Sequence, residues 1–162
     1  MDWKRRAPLL LLAAAGGGLF FWPLTALQFE NDDRGAVTRY PVRPGDSFSV
    51  TSIHSIYREP VTEEFFVGRG GELVLTGVRS ASGAVLEYFG FDDSRPFHAM
   101  NRPMRTIVFR VAAGDAQVLT LGGRRIPFLS LGDHGDRITV RLATVSPAAR
   151  GIEWAAGRGL PR

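Results

Sequence analysis

The sequence predicts an all-β fold: an antiparallel β-sandwich or partly open barrel preceded by a single N-terminal transmembrane helix. Three observations predict it. Lys4-Arg5-Arg6 lead into an apolar run from Ala7 to Leu27. Beyond that run, apolar and polar residues alternate with a period near two. Turn residues interrupt the alternation every eight to twelve positions or so, as in short antiparallel strands.

About twenty apolar or small residues at roughly 1.5 Å rise per residue match a hydrocarbon core of about 30 Å, so the run is long enough to span a bilayer. The alternative is a cleaved signal peptide, which needs a shorter apolar region and a small-x-small site after it. Ala13-Ala14-Ala15 falls too early for that site, and Leu24-Thr25-Ala26 places a bulky leucine where a small residue is preferred. Length and cleavage chemistry together favour an uncleaved signal-anchor over residues 1–29. Lys4, Arg5 and Arg6 at its N-terminal flank hold the first residues in the cytoplasm and send the rest across. Pro8, Pro23 and Gly16-Gly17-Gly18 are tolerated in a membrane helix, and Trp22 suits the outer interface.

Past the anchor, about 130 residues remain, the size of one domain with a single core. The chain of 162 residues carries 20 Lys+Arg and 16 Asp+Glu, a net charge of +4. Three of those bases and one acid precede the run, which leaves 17 bases and 15 acids interspersed without blocks. Such mixing describes a solvated surface rather than a phosphate-binding stripe, so no nucleic-acid partner is expected. There is no cysteine, which excludes disulfides and thiol chemistry.

The strands are read in order. Ala36 to Val42 forms a first short strand, ended by the Pro44-Gly45-Asp46 turn. Ser47 to Tyr57 forms a second, broken by Arg58-Glu59-Pro60, and Thr62 to Val67 returns as its hairpin partner. Gly68-Arg69-Gly70-Gly71 turns the chain into a strand over Glu72 to Arg79, and Ser80-Ala81-Ser82-Gly83-Ala84 is a small, flexible stretch. Asp92 to Met104 reads as the longest irregular segment, and its Arg95, Phe97, Arg102 and Met104 suit either a solvated loop or a protein interface. Arg105 to Val111 is expected to pair with Gln117 to Leu121 across the Ala113-Gly114-Asp115 turn, with Gly122-Gly123 closing the unit. The last strand is the clearest, with Ile138, Val140 and Leu142 on one face and Arg137, Thr139 and Arg141 on the other. The β-domain then covers residues 30–147, and residues 148–162 form a flexible C-terminal tail whose one large aromatic residue is Trp154.

At the hairpin, Ile53-His54-Ser55-Ile56-Tyr57, then Pro60-Val61, then Glu63-Glu64-Phe65 resembles the domain-of-unknown-function family 1850, small bacterial proteins found beside TAXI-type TRAP transporters. In that family a strand ending in His-Ser leads through a Pro-containing turn to a Glu-aromatic strand, and a small-residue segment like Ser80–Ala84 follows. The resemblance covers roughly residues 40 to 145. Where the family has a second glycine, this chain has Val85 or Leu86. The resemblance implies a periplasm-facing domain on a single pass through the bacterial inner membrane, near a tripartite transporter for organic anions. Implied partners are the transporter's membrane subunits or its substrate-binding protein. No reaction is implied, and none of the residues signals a cofactor.

The chemistry of the motif leaves several readings open. Alternation sends His54 and Ser55 to opposite faces of a strand, so the imidazole does not activate the neighbouring hydroxyl. If Arg58-Glu59-Pro60 is the connection, His54 or Ser55 comes opposite Glu63, Glu64 or Phe65. His54 is then either a satisfied histidine that locks the hairpin register or part of a binding cluster of His54, Ser55, Tyr57, Glu63 and Glu64 that takes an ion or a partner surface. The corresponding functions are a non-enzymatic accessory or ligand-sensing component, an envelope hydrolase using His54 with Glu63 or Glu64, and a stand-alone structural module. His54, His98 and His134 lack ligand-like spacing, so no metal is expected, and Asp133-His134-Gly135-Asp136 reads as a turn rather than a calcium loop.

Overall fold

A computed structural model describes residues 24–93 and 95–145. The elements are β1 (Leu24–Asn31), β2 (Ala36–Pro41), β3 (Ser47–Ile53), β4 (Pro60–Val67), β5 (Leu73–Arg79), a short helix α1 (Gly83–Tyr88), β6 (Phe97–Met104), β7 (Thr106–Arg110), β8 (Val118–Leu121), β9 (Arg124–Pro127), a 3-10 turn at Phe128–Ser130, and β10 (Arg137–Val145). They build two antiparallel sheets, a four-stranded one in the order β2-β1-β10-β7 and a six-stranded one in the order β6-β5-β4-β3-β8-β9. Leu27, Phe29, Ile138 and Val140 from the first share one core with Phe48, Val50, Phe65, Val67, Val78 and Leu119 from the second. The fold is therefore all-β with two layers, as the alternation predicts. In β10, Ile138 and Val140 are fully buried while Arg137 and Arg141 are exposed.

The expected boundary at residue 29 is corrected. Residues 24–29, assigned to the anchor from the sequence, belong to β1, which lies inside its sheet with β2 on one side and β10 on the other. β1 opens with Leu24-Thr25-Ala26-Leu27, whose Ala26 and Leu27 are buried, so its start merges in the sequence with the apolar residues before it. Cleavage after Leu24-Thr25-Ala26 would remove three residues that pair with Val145, Thr144 and Ala143. The rest of the apolar run, residues 1–23, and the C-terminal tail lie outside the described residues. Among the described residues, no helix is long and apolar enough to cross a membrane.

Three further expectations are corrected. The end of the small-residue stretch, Gly83 and Ala84, is the start of α1, which forms because Val85 and Leu86 bury fully in the core and Ser80 fixes its approach, donating to the Pro60 carbonyl at 2.7 Å and accepting from the Ser82 amide. The supposed loop 92–104 contains β6, an edge strand; Arg95 there is held by Asp93, and Phe97 lies under the Arg79 guanidinium at 4.7 Å. Finally, β8 pairs with β3 and β9 rather than with β7, which pairs with β10. The chain changes sheets at Arg105, between β6 and β7, so residues adjacent in sequence face different partners.

Both β4 and β6 shift register against β5 around Thr76, which is the extra residue of a bulge. Gly77 beside it is bare for a reason: a Cβ there would lie 2.4 Å from the Phe97 ring and 3.2 Å from the His98 carbonyl. Gly77→Ala is expected to lower stability by about 1–3 kcal/mol through overpacking, measured by urea unfolding, with Phe97→Leu in the same chain restoring part of the loss.

The register also orders the two ends of the sandwich. Leu24 pairs with Val145, and the Val42–Asp46 connection bonds both to Thr25 and to Val67, so all of these share one end. Asn31 bonds to the Leu131 carbonyl at the other end. The β3–β4 hairpin tip and α1 lie at that second end, remote from where the chain enters at Leu24.

Candidate functional site

The hairpin tip runs from His54 to Glu59. The His54 amide donates to the Glu59 carbonyl at 2.8 Å, and the Arg58 amide donates back to the His54 carbonyl at 2.8 Å. That closure puts Arg58 at φ 58°, in the left-handed region, which costs a non-glycine residue about 1 kcal/mol. Ser55-Ile56-Tyr57 are therefore turn residues and not the end of a strand. The His54 ring stacks on Tyr57 at 5.2 Å and meets the edge of Tyr88, from α1, at 4.7 Å. Its Nδ1 accepts a long bond from the Tyr57 amide.

The longer turn changes the register. Glu63 stands opposite Val50, Glu64 opposite Ser49 and Phe65 opposite Phe48, so neither His54 nor Ser55 pairs with any of them. His54 and Glu63 are four strand positions apart, about 13 Å. The five residues predicted as one cluster divide into three places. His54, Ser55 and Tyr57 sit in the tip. Glu64 faces outward and pairs with Arg79 at 3.3 Å. Glu63 alternates with buried Val61 and Phe65 and so points to the core side, beside Val50 and Val78.

Burial raises the Glu63 carboxyl above its ordinary value of 4.5, and no charged partner among the described residues offsets it. A raised carboxyl binds its proton more tightly when folded. Stability is therefore greatest below the unfolded value and falls as pH rises through the folded one. Glu63→Gln is expected to raise thermal stability at pH 7.5 by on the order of 1 kcal/mol, and the gain should vanish below about pH 4.

Sequence reasoning did not find the tip's strongest feature. Ile56 is 66% exposed and Tyr88 63%, and Ile53 and Tyr57 are also exposed around the stacked His54. Isolated exposed apolar residues are ordinary, but four gathered on one end form a patch of the kind that contacts a partner. Tyr88 reaches it only because α1 folds against the hairpin, which no local pattern signalled.

The other two histidines are structural. His134 Nδ1 lies 3.2 Å from the Val111 carbonyl. His98 is 4% exposed, stacked on Phe91 at 4.0 Å, with Nε2 at 3.3 Å from an Asp93 oxygen. Hydrogen bonds from Arg95 hold the Asp93 carboxyl well below its usual range, at about 2. Asp133 to Asp136 is a turn, closed by the Asp136 amide on the Asp133 carbonyl at 3.0 Å, with Arg34 pairing both carboxylates.

No family model, curated protein or solved structure matches the chain.

Proposed function

We propose that the chain is a non-enzymatic, membrane-anchored accessory or ligand-sensing component of a TAXI-type TRAP transporter for organic anions, and that the hairpin tip is its contact site. The observation that carries this reading is the exposed patch of Ile53, Ile56, Tyr57 and Tyr88 at the end opposite Leu24. The likeness of the His54-to-Phe65 hairpin to the family found beside such transporters supplies the partner.

Residues Ala7 to Pro23 still number seventeen, the lower limit of a membrane span, and Lys4-Arg5-Arg6 set their orientation. An anchor there in the bacterial inner membrane attaches the domain by its Leu24 end and leaves it in the periplasm. The eight residues of β1 then hold the tip about 25 Å further from the bilayer. At that height the tip meets a soluble partner, so the substrate-binding protein fits better than the transporter's membrane subunits. An apolar patch rimmed by Arg58 and Glu59 has the composition of a modest, reversible protein contact.

The hydrolase alternative is not favoured, because His54 and the two glutamates do not converge on one cleft. Co-purification of the full chain in mild detergent tests the proposal. It is expected to retain the TAXI-type substrate-binding protein, identified by mass spectrometry. Repeated absence of every transporter component, with residues 1–23 intact, would leave a stand-alone envelope module.

A further inference from the structure

A second site, independent of the tip, lies at the opposite end of the sandwich. An open cleft of about 890 Å³ lies there, lined by the six-stranded sheet and, across the end of the sandwich, by Tyr40 and Pro41 of β2. That volume is within the usual range for small-molecule sites, roughly 300–1,000 Å³. Its floor is a row of side chains across neighbouring strands. Thr120 on β8 stands beside Ser49 on β3, which stands beside Glu64 on β4, and in the next row Ser47 stands beside Phe66. Each alternates with a buried core residue (Leu119, Phe48, Val50 or Phe65), so all point outward. The bulge residue Thr76 adds a fourth hydroxyl to the lining and donates to the Glu64 carbonyl at 3.0 Å. Bulges concentrate where a strand re-aims a side chain at a site, and this one breaks register with both neighbours of β5 at the cleft.

The charges at the cleft decide the ligand class. Glu64 is paired with Arg79, Asp46 accepts the Arg43 amide at 2.8 Å, and the Arg124 guanidinium lies over the Tyr40 ring at 5.8 Å. Glu64 is thus ion-paired within the protein, and the lining carries one cation, Arg124, rather than a cluster of the kind that takes a polyanion. What remains for a ligand is Ser47, Ser49 and Thr120, whose hydroxyls both donate and accept, the Thr76 hydroxyl as an acceptor, and the half-buried face of Phe66. A sugar ring matches that combination, because its hydroxyls alternate donor and acceptor and one of its faces is built of C–H groups that lie flat on an aromatic ring. We infer that this cleft binds a neutral saccharide.

The test is isothermal titration calorimetry on the full chain, held in a detergent without a sugar headgroup, against maltotriose, cellotriose and chitotriose, with citrate as an organic polyanion. At least one trisaccharide is expected to bind saturably, and citrate is expected to give no heat. Thr120→Val should weaken that binding about tenfold or more, the effect of one or two lost hydrogen bonds. Phe66→Leu conserves apolar burial but removes the flat ring, and should weaken it comparably with an unchanged melting temperature. The inference is overturned if no trisaccharide binds, if citrate binds instead, or if saccharide binding survives both substitutions in folded protein. The outcome at the tip does not bear on it, since a failed co-purification leaves this titration unaffected.

Discussion

Asn31→Ala is expected to lower the melting temperature by about 10 °C. Asn31 is 1% exposed at the last position of β1, and its amide makes four hydrogen bonds. Its Oδ1 accepts from the Asp33 and Arg34 amides, both at 3.1 Å, which forms the β1–β2 turn. Its Nδ2 donates to the Leu131 carbonyl at 3.2 Å and to Asp136 at 2.9 Å, which ties that turn to a loop a hundred residues later. Alanine leaves the Leu131 carbonyl without this donor, a loss of about 2–3 kcal/mol. For a domain of this size each kcal/mol moves the midpoint by about 3–4 °C. The amide is closely packed, since a Cβ on Gly132 would come within 2.4 Å of Nδ2.

The same substitution alters the acid response. The Asn31 hydrogen bond is the largest cause holding the Asp136 carboxyl below its ordinary value of 3.8. A depressed carboxyl stabilises the fold above the unfolded value, and that stabilisation is lost as pH falls through the folded one. The difference between native chain and Asn31→Ala is therefore expected to be full at neutral pH and to narrow as the solution is acidified below about pH 4, readable by thermal unfolding at several pH values.

The second large effect is on binding. Ile56→Asp combined with Tyr88→Asp is expected to weaken capture of the substrate-binding protein at least tenfold, about 1.4 kcal/mol or more. An exposed isoleucine on the turn beside an exposed tyrosine from α1 is the kind of pair that carries much of a contact's energy, and each carboxylate would have to be desolvated on docking. Both side chains are mostly in solvent, so the melting temperature should stay within about 2 °C of the native value. Unchanged capture by the folded double variant would remove the tip from the account.

The readable parts of the sequence were those governed by local alternation. β10 shows its inner and outer faces directly, and the β3–β4 hairpin is visible because Pro60 and the flanking β-branched residues mark its turn. β1 was hidden by its own environment: paired on both edges and buried beneath, it reads like the end of a membrane segment. β6 was hidden for the opposite reason, since an edge strand with Asn101, Arg102 and Pro103 looks like a loop. The pairing of β7 with β10 depends on the chain changing sheets at Arg105, which no short-range signal encodes.

The candidate site was legible as a location but not as an arrangement. The structure stacks His54 on Tyr57 at the hairpin end, while a cluster with Glu63 and Glu64 needs a turn of three residues. The actual turn closes between His54 and Glu59, and a shift in turn length displaces every cross-strand pair beyond it. Tyr88 arrives from α1, of which only Gly83 and Ala84 fall in the stretch read as flexible, and the burial of Val85 and Leu86 that makes the helix is a tertiary effect.

The most direct measurement is photo-crosslinking in intact cells from a photoreactive residue at position 56, with position 69, exposed in the turn after Val67 at the opposite end of the sandwich, as the internal comparison. The account predicts an adduct with the soluble TAXI-type substrate-binding protein from position 56 and none from position 69. Adducts only with cytoplasmic proteins, equal adducts from both positions, or no adduct with the substrate-binding protein from position 56 would contradict a tethered domain that presents its tip to a periplasmic partner.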